Sequence, residues 1–318
     1  MDCESTEFDY IAGGCFMMIK PRISIVMPTL NTVTFIRDAL ESIARQSFKG
    51  WELIVMDGGS ADGTLDLIER FAHPNIRVFS EPDEGSFHAI TKGFERARGD
   101  YFTTLCGSDG YIDIDWLQLC VDALDSDPEV SLIWGVPALC AEDGIIGGPH
   151  PAFAQFLKRR TVVSRLFGML DWKHRSWLPQ KIKRGFLRWF GADDVQKKNW
   201  VFFWLDTGLW FPDLNMCYRR LVYEQCTPPY RLDSFADECM SFYFNFNRQG
   251  FLPLCIPRIA NFGRTHAGQV GAVRDSEVQQ EVTEYLGWVR TYANQLRNRE
   301  VLHEFRGKDG EVIGRYSC

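Results

Sequence analysis

Four short apolar runs in the first third of the chain each end in a polar or Gly-rich turn. They are Ile23 to Met27 before Pro28-Thr29-Leu30-Asn31, Glu52 to Met56 before Asp57-Gly58-Gly59-Ser60, Ile76 to Phe79 before Ser80-Glu81-Pro82-Asp83, and Tyr101 to Leu105 before Gly107-Ser108-Asp109. Between most of these runs lie segments with helical spacing. In 34–46 the apolar positions are Phe35, Ile36, Leu40 and Ile43, and further helices are predicted over 64–72, opened by a Thr64 suited to N-capping, over 86–98, ended by Gly99, and over 116–126. Ser131 to Trp134 reads as one more strand. Such alternation predicts an α/β domain of parallel strands whose C-terminal ends share one edge. A ligand bound at that edge meets several turns at once.

The pattern changes after this half. Phe153 to Lys198 holds twelve Lys or Arg against only Asp171, Asp193 and Asp194, with Trp172, Trp177 and Trp189 interleaved. Basic, aromatic and helix-prone, this segment reads either as a surface that lies on an anionic membrane or as a solvated insertion whose Trp residues pack on the main domain. From Trp200 onward the strand pattern returns, and 278–303 reads as a helix. The expected organisation is an extension over 1–20, a ligand-binding half over 21–152, a basic helical insertion over 153–199, a second half over 200–272 and a helical tail over 273–318.

Composition narrows the class. With 318 residues, 45% hydrophobic and 24% charged, the chain can bury a sizeable core in one or two domains. Its net charge of -7 argues against a general nucleic-acid binder, so no nucleic-acid partner is expected. Ten cysteines are scattered without a CxxC pair or metal-ligand spacing, which predicts reduced, mostly buried thiols. Asp2, Glu4, Glu7 and Asp9 stand where a signal peptide would be basic, and no apolar run is long enough to span a bilayer. The expected location is cytoplasmic, with peripheral contact on the inner membrane face through 153–198.

Chemistry begins at Asp57. Gly58, Gly59 and Gly63 permit a close backbone approach, and a carboxylate on such a turn can accept hydrogen bonds from a base or sugar. Taken alone, the turn reads equally as an ordinary turn followed by a cap from Asp62 and Thr64. It does not stand alone. Val55-Met-Asp-Gly-Gly-Ser-Ala-Asp-Gly-Thr64, Ser80-Glu-Pro-Asp-Glu-Gly85, Ala89-Ile-Thr-Lys-Gly93, Gly99-Asp100 and Gly107-Ser-Asp109 follow one another in an order that resembles the N-terminal half of family-2 glycosyltransferases of bacterial cell-surface glycan synthesis.

The resemblance implies the GT-A fold: a Rossmann-type, mostly parallel sheet flanked by helices, here with the basic helical insertion. It also implies a nucleotide-sugar site in which Pro28, Thr29 and Asn31 border the nucleotide, Asp57 with Gly58 and Asp83 meet base and ribose, and Lys92 lies near the phosphates. Ser108 and Asp109 would form the acidic motif, holding Mn or Mg with help from His266. Relatives carry DxD or SDD there, whereas Gly107-Ser108-Asp109-Gly110 keeps one carboxylate. In the second half, Leu232-Asp-Ser-Phe-Ala-Asp237-Glu238 before Met240, Phe242, Phe244 and Gly250 resembles the segment that supplies the catalytic base, at Asp237. Arg264-Thr-His266-Ala-Gly-Gln269 resembles the element that closes the domain.

The activity so implied is inverting transfer of a sugar, from a nucleoside-diphosphate sugar with uridine as the first expectation, to a hydroxyl of a glycan or lipid-linked acceptor. Read without the resemblance, Asp237 and Glu238 serve equally as helix caps, and His266 as a structural histidine. Arg219 and Arg220 either meet phosphate or cover the surface. No GxGxxG follows the first strand and no GxxxxGK[ST] occurs, so dehydrogenase and P-loop readings fail. The remaining alternative is a degenerate transferase that serves as a nucleotide-binding or scaffold subunit.

Overall fold

The computed structural model describes residues 20–151, 153, 154, 157, 215–226, 242, 245, 246, 249, 251–267, 305, 306 and 312–314. The expected basic insertion beyond its first few residues, Asp237 and the helix over 278–303 lie outside the described residues.

The first half alternates as its periodicity predicts: β1 (Ile23–Thr29), α1 (Ile36–Ala44), β2 (Trp51–Asp57), α2 (Thr64–Phe71), β3 (Ile76–Ser80), α3 (Ser86–Glu95) and β4 (Tyr101–Thr104). A two-residue β5 (Gly110–Tyr111) leads to α4 (Trp116–Ser126), β6 (Val130–Cys140) and β7 (Ile146–Pro149), and the second half adds β8 (Cys217–Arg219), α5 (Arg220–Cys226) and β9 (Leu252–Arg264). A separate antiparallel pair joins β10 (Phe305–Arg306) to β11 (Val312–Gly314). The main sheet runs β3-β2-β1-β4-β8-β6-β9-β5, with β7 paired to β6. Strands β3, β2, β1 and β4 are mutually parallel, and β6 pairs with β9 in parallel. The antiparallel pairs involve β5, β7 and β8, so the fold is a mixed α/β sheet, parallel where the expected ligand edge lies.

Every residue of β1 and β2 is buried, as strands covered on both faces must be. One face packs Ile23, Ile25, Met27, Leu53 and Val55 against Ile36, Leu40 and Ile43 of α1, Ile68 of α2 and Trp116 and Leu117 of α4. Each of those large side chains contributes about 1.5–3 kcal/mol on burial. The other face takes α3. At Gly93 an added Cβ would stand 2.4 Å from the Val26 side chain and 3.1 Å from that of Met56, so the helix backbone lies directly on the side chains of β1 and β2.

Three local expectations are corrected. Helix α3 ends at Glu95 with Arg96 as its cap, and Gly99 plays a packing part instead: a Cβ there would meet the backbone nitrogen of Ser24 at 2.7 Å. Thr64 is the first residue of α2, whose N-terminal flank is Gly63 with no side-chain cap. β6 is far longer than Ser131 to Trp134, because its inner residues are covered by α4, β8 and β9.

The two halves close one sheet. Asn215 donates to the Gly135 carbonyl at 2.9 Å and to Asn261 Oδ1 at 2.9 Å, while Gly135 N–H donates back to Asn215 Oδ1 at 3.2 Å. This buried amide pair satisfies itself across three segments, which fixes their register without an unpaired polar group. All six free cysteines among the described residues are buried or half-buried. No helix among the described residues is long and apolar enough to cross a membrane.

Candidate active site

The turns after β1, β2, β3 and β4 converge on one edge because parallel strands in register deliver their ends together. Gly58 N–H donates to the Thr29 carbonyl at 3.0 Å, Glu81 N–H to the Asp57 carbonyl at 2.9 Å, and Gly107 N–H to the Pro28 carbonyl at 3.3 Å. Asn31 takes a left-handed φ of 52°, a conformation Asn tolerates through local hydrogen bonding. Its Oδ1 accepts from Ala61 N–H at 3.0 Å, and its own N–H reaches Ser60 Oγ at 2.8 Å. Thr64 does not cap but clamps: its hydroxyl accepts from Thr32 N–H at 2.9 Å and donates to Asp62 Oδ1 at 2.6 Å.

Asp57 is the centre of this lacing. With 1% of its surface exposed, it accepts from Gly59 and Ser60 N–H at 3.0 Å each, from Ser80 Oγ at 2.7 Å, and from Ser60 Oγ at short range. Burial pushes its pKa up, but the hydrogen bonds from Ser60, Ser80 and Gly59 outweigh it and hold the carboxyl below the ordinary range. The carboxylate is thus committed to the turn, with Oδ1 the less occupied oxygen. Asp83 folds against that turn. A Cβ on Gly58 would stand 2.8 Å from Asp83 Oδ2, and Asp83 Oδ1 accepts from Gly85 N–H at 2.8 Å. Lys92 stands at the root of the same loop, donating to the Pro82 carbonyl at 3.1 Å and pairing with Glu81 at 3.3 Å.

On the far side of the edge lies the acidic motif. Asp109 is 4% exposed, and its Oδ1 accepts the backbone N–H of Arg264 at 2.9 Å. Burial pushes its pKa to about 6, against the pull of the Arg264 N–H and charge and of the Cys106 and Ser108 side chains. A second acid at position 110 would have to displace Phe262. A Cβ there would stand 2.6 Å from the Phe262 ring and 3.2 Å from Ser42 Oγ, so β9 occupies that space. His266 packs its ring against Phe35, centroids 4.8 Å apart.

Among the described residues no three His, Cys, Asp or Glu side chains cluster as a metal site. A single carboxylate still fits one kind of ion, since magnesium commonly takes one or two carboxylates and completes its shell with phosphate oxygens and water. Asp109 is the carboxylate of the motif that such an ion would meet.

Arg219 and Arg220 do not reach this edge. Arg219 opposes Tyr101 at the start of β4 and donates to the carbonyls of Val130, Leu124 and Asp127, while Arg220 donates to those of Ala97 and Gly99. They fasten the opposite end of the sheet, which overturns the phosphate option for them. Conversely, Arg264, Asp38 and Ser80 join the edge without having been singled out by the sequence. Arg264 and Ser80 sat inside quoted motifs; Asp38 carried no signal.

A family model, Glycosyl transferase family 2, matches residues 24–169. A "PGL/p-HBAD biosynthesis glycosyltransferase" of Mycobacterium bovis is 33% identical over 122 residues, 37% of this chain and 47% of that protein. The chain thus spans about half the length of that curated relative. Among solved structures, a mannosyltransferase of Pyrobaculum calidifontis in complex with GDP-Man and Mn2+ superposes with a TM-score of 0.55 at 18% identity, over 86% of this chain and 65% of that one. TarS 1-349 of S. aureus in complex with UDP-GlcNAc gives 0.50 at 16%, over 78% and 60%. These likenesses establish the fold. With the strand order and the matched stretch both in hand, residues 24–169 are similar to glycosyltransferase family 2, on a sheet like that of the GT-A structures.

Proposed function

We propose that the chain is an inverting glycosyltransferase that moves a sugar from a nucleoside-diphosphate sugar to a hydroxyl of a glycan or lipid-linked acceptor. The observation that carries this reading is the hydrogen-bonded edge itself, where Thr29, Asn31, Asp57, Asp83, Ser108 and Asp109 are gathered from four strand ends. Pro28, Thr29 and Asn31 border the nucleotide, and Asp83, folded over Gly58, faces base and ribose. Relatives bound to UDP-GlcNAc and to GDP-Man support a nucleotide-sugar donor. Uridine remains the first choice of base.

When bound, a divalent cation supplies charge neutralisation for the departing diphosphate. Asp109 is the residue to hold it, with His266 as a second candidate. Asp237 is proposed as the base. It takes the proton from the acceptor hydroxyl while that oxygen attacks the anomeric carbon, and the bond from that carbon to the diphosphate oxygen breaks with inversion. The diphosphate leaves with the bonding electrons. Asp237→Asn therefore lowers transfer by roughly 10²–10⁴-fold while donor binding stays near wild type. Release of nucleoside diphosphate at the wild-type rate in this variant would remove Asp237 from the mechanism.

A second reading is favoured by one feature, the filling of the Gly110 position by Phe262. It makes the chain a nucleotide-binding subunit without turnover, and wild-type protein that binds donor yet releases no product with any acceptor would support it.

A further inference from the structure

Strand β9 sends two side chains from alternate positions, and so from one face, toward the acidic motif. Phe262 fills the space at Gly110. Arg264, two residues on and with 3% of its side chain exposed, reaches three separate segments. Its Nε donates to the Ser108 carbonyl at 3.1 Å, its Nη1 to the Glu142 carbonyl at 3.2 Å in the turn before β7, and its Nη2 to Asp38 Oδ2 of α1 at 2.6 Å. The guanidinium lies over the rings of Phe35 at 4.9 Å and Phe262 at 5.5 Å. Meanwhile its backbone N–H holds Asp109 Oδ1 at 2.9 Å. The same residue therefore grips the acidic motif by main chain and side chain together.

From this geometry we infer that Arg264 is a positioning residue: it clamps the Ser108-Asp109 segment to α1 and to the β6–β7 turn, and so holds the one remaining carboxylate of the motif in place for the diphosphate. The inference rests on the nucleotide reading of the edge. An arginine is required because its planar fork presents donors in three fixed directions, whereas a lysine ammonium is a point charge on a flexible stem. A motif with several acids can tolerate a loose one, but a motif with a single acid cannot. Its side chain is committed to Ser108, Glu142 and Asp38 and its N–H to Asp109, so its proposed effect on the diphosphate runs through the Ser108-Asp109 segment.

Two readouts on Arg264→Lys test the clamp. Calorimetric titration with uridine diphosphate, with and without Mn²⁺, is expected to show the Mn²⁺-dependent gain in affinity falling about tenfold or more, the scale for losing a group that orients a metal ligand. Metal-free affinity should stay within about twofold. Amide hydrogen exchange is expected to quicken about tenfold or more over 107–110 while 51–57 stays protected, the signature of local rather than global loosening. If the lysine variant does not fold, Asp38→Ala removes one arm at a half-exposed position and should give the same two changes at about threefold. Wild-type exchange over 107–110 in a folded variant, or an unchanged Mn²⁺-dependent gain where wild type shows one, overturns the clamp. Absence of any Mn²⁺-dependent gain in wild type would instead count against the metal part of the proposed function, and exchange would still decide the clamp.

Discussion

Asp57 and Asp109 sit on the same edge in opposite electrostatic states. Hydrogen bonds hold Asp57 ionised below the ordinary range, whereas burial raises Asp109 to about 6. Because the folded-state pKa of Asp109 exceeds its unfolded value of about 3.9, this group supports the fold fully at acid pH. That support is lost as pH rises through about 6. Ionising it costs about 1–3 kcal/mol. Asp109→Asn, which keeps the acceptor for Arg264 N–H, should therefore melt higher than wild type at about pH 8 and nearly equal to it at about pH 4. Denaturant melts in chelator at the two pH values check this, and an equal difference at both would show that Asp109 is not raised.

At the scale of elements, close backbone approach explains what spacing could not. Gly99 lies within 2.7 Å, by its missing Cβ, of the Ser24 backbone, and neither neighbour can yield without moving β1. Gly99→Ala should cost about 1–3 kcal/mol in an equilibrium melt, the scale of overpacking. A loss under about 0.5 kcal/mol would mean that the strands shift freely. The sequence marked this glycine as a helix end, because a Gly after an amphipathic run has the same pattern in both roles. Strand cores and turn motifs of the first half were legible from periodicity: β1, β2, β3 and α4 lie where the apolar runs put them. The β8–β6–β9 arrangement was not legible, since the pairing of distant strands depends on contacts such as Asn215 to Asn261 that leave no local trace. The site divides the same way. Asp57 and Asp83 announce themselves by their turns, while Asp38 earns its place only through Arg264, which arrives from β9.

For the whole molecule, one sheet draws on residues from both sides of the basic segment, so β8 and β9 complete what β1 to β7 begin. The segment over 153–198 is proposed as the face that meets an anionic surface, on the strength of its twelve basic residues. Neutralising its lysines and arginines should lower co-sedimentation with vesicles containing anionic lipid, and the difference should shrink at high salt, where the Debye length falls to about 3 Å at 1 M. Intact protein that ignores such vesicles would leave the segment a packing insertion.

Whether the edge of β1, β2, β3 and β4 is a nucleoside-diphosphate site is decided by calorimetric titration with uridine and guanosine diphosphates, with and without Mn²⁺. Wild type should bind at least one of them more tightly with Mn²⁺. Asp57→Ala, which strips four donors of their acceptor, should weaken binding by about 1–3 kcal/mol under both conditions, whereas Asp109→Asn should abolish only the Mn²⁺-dependent gain. Folded wild-type protein that binds neither nucleotide, or an Asp57→Ala variant that is folded and binds as wild type does, would contradict a nucleoside-diphosphate site at this edge.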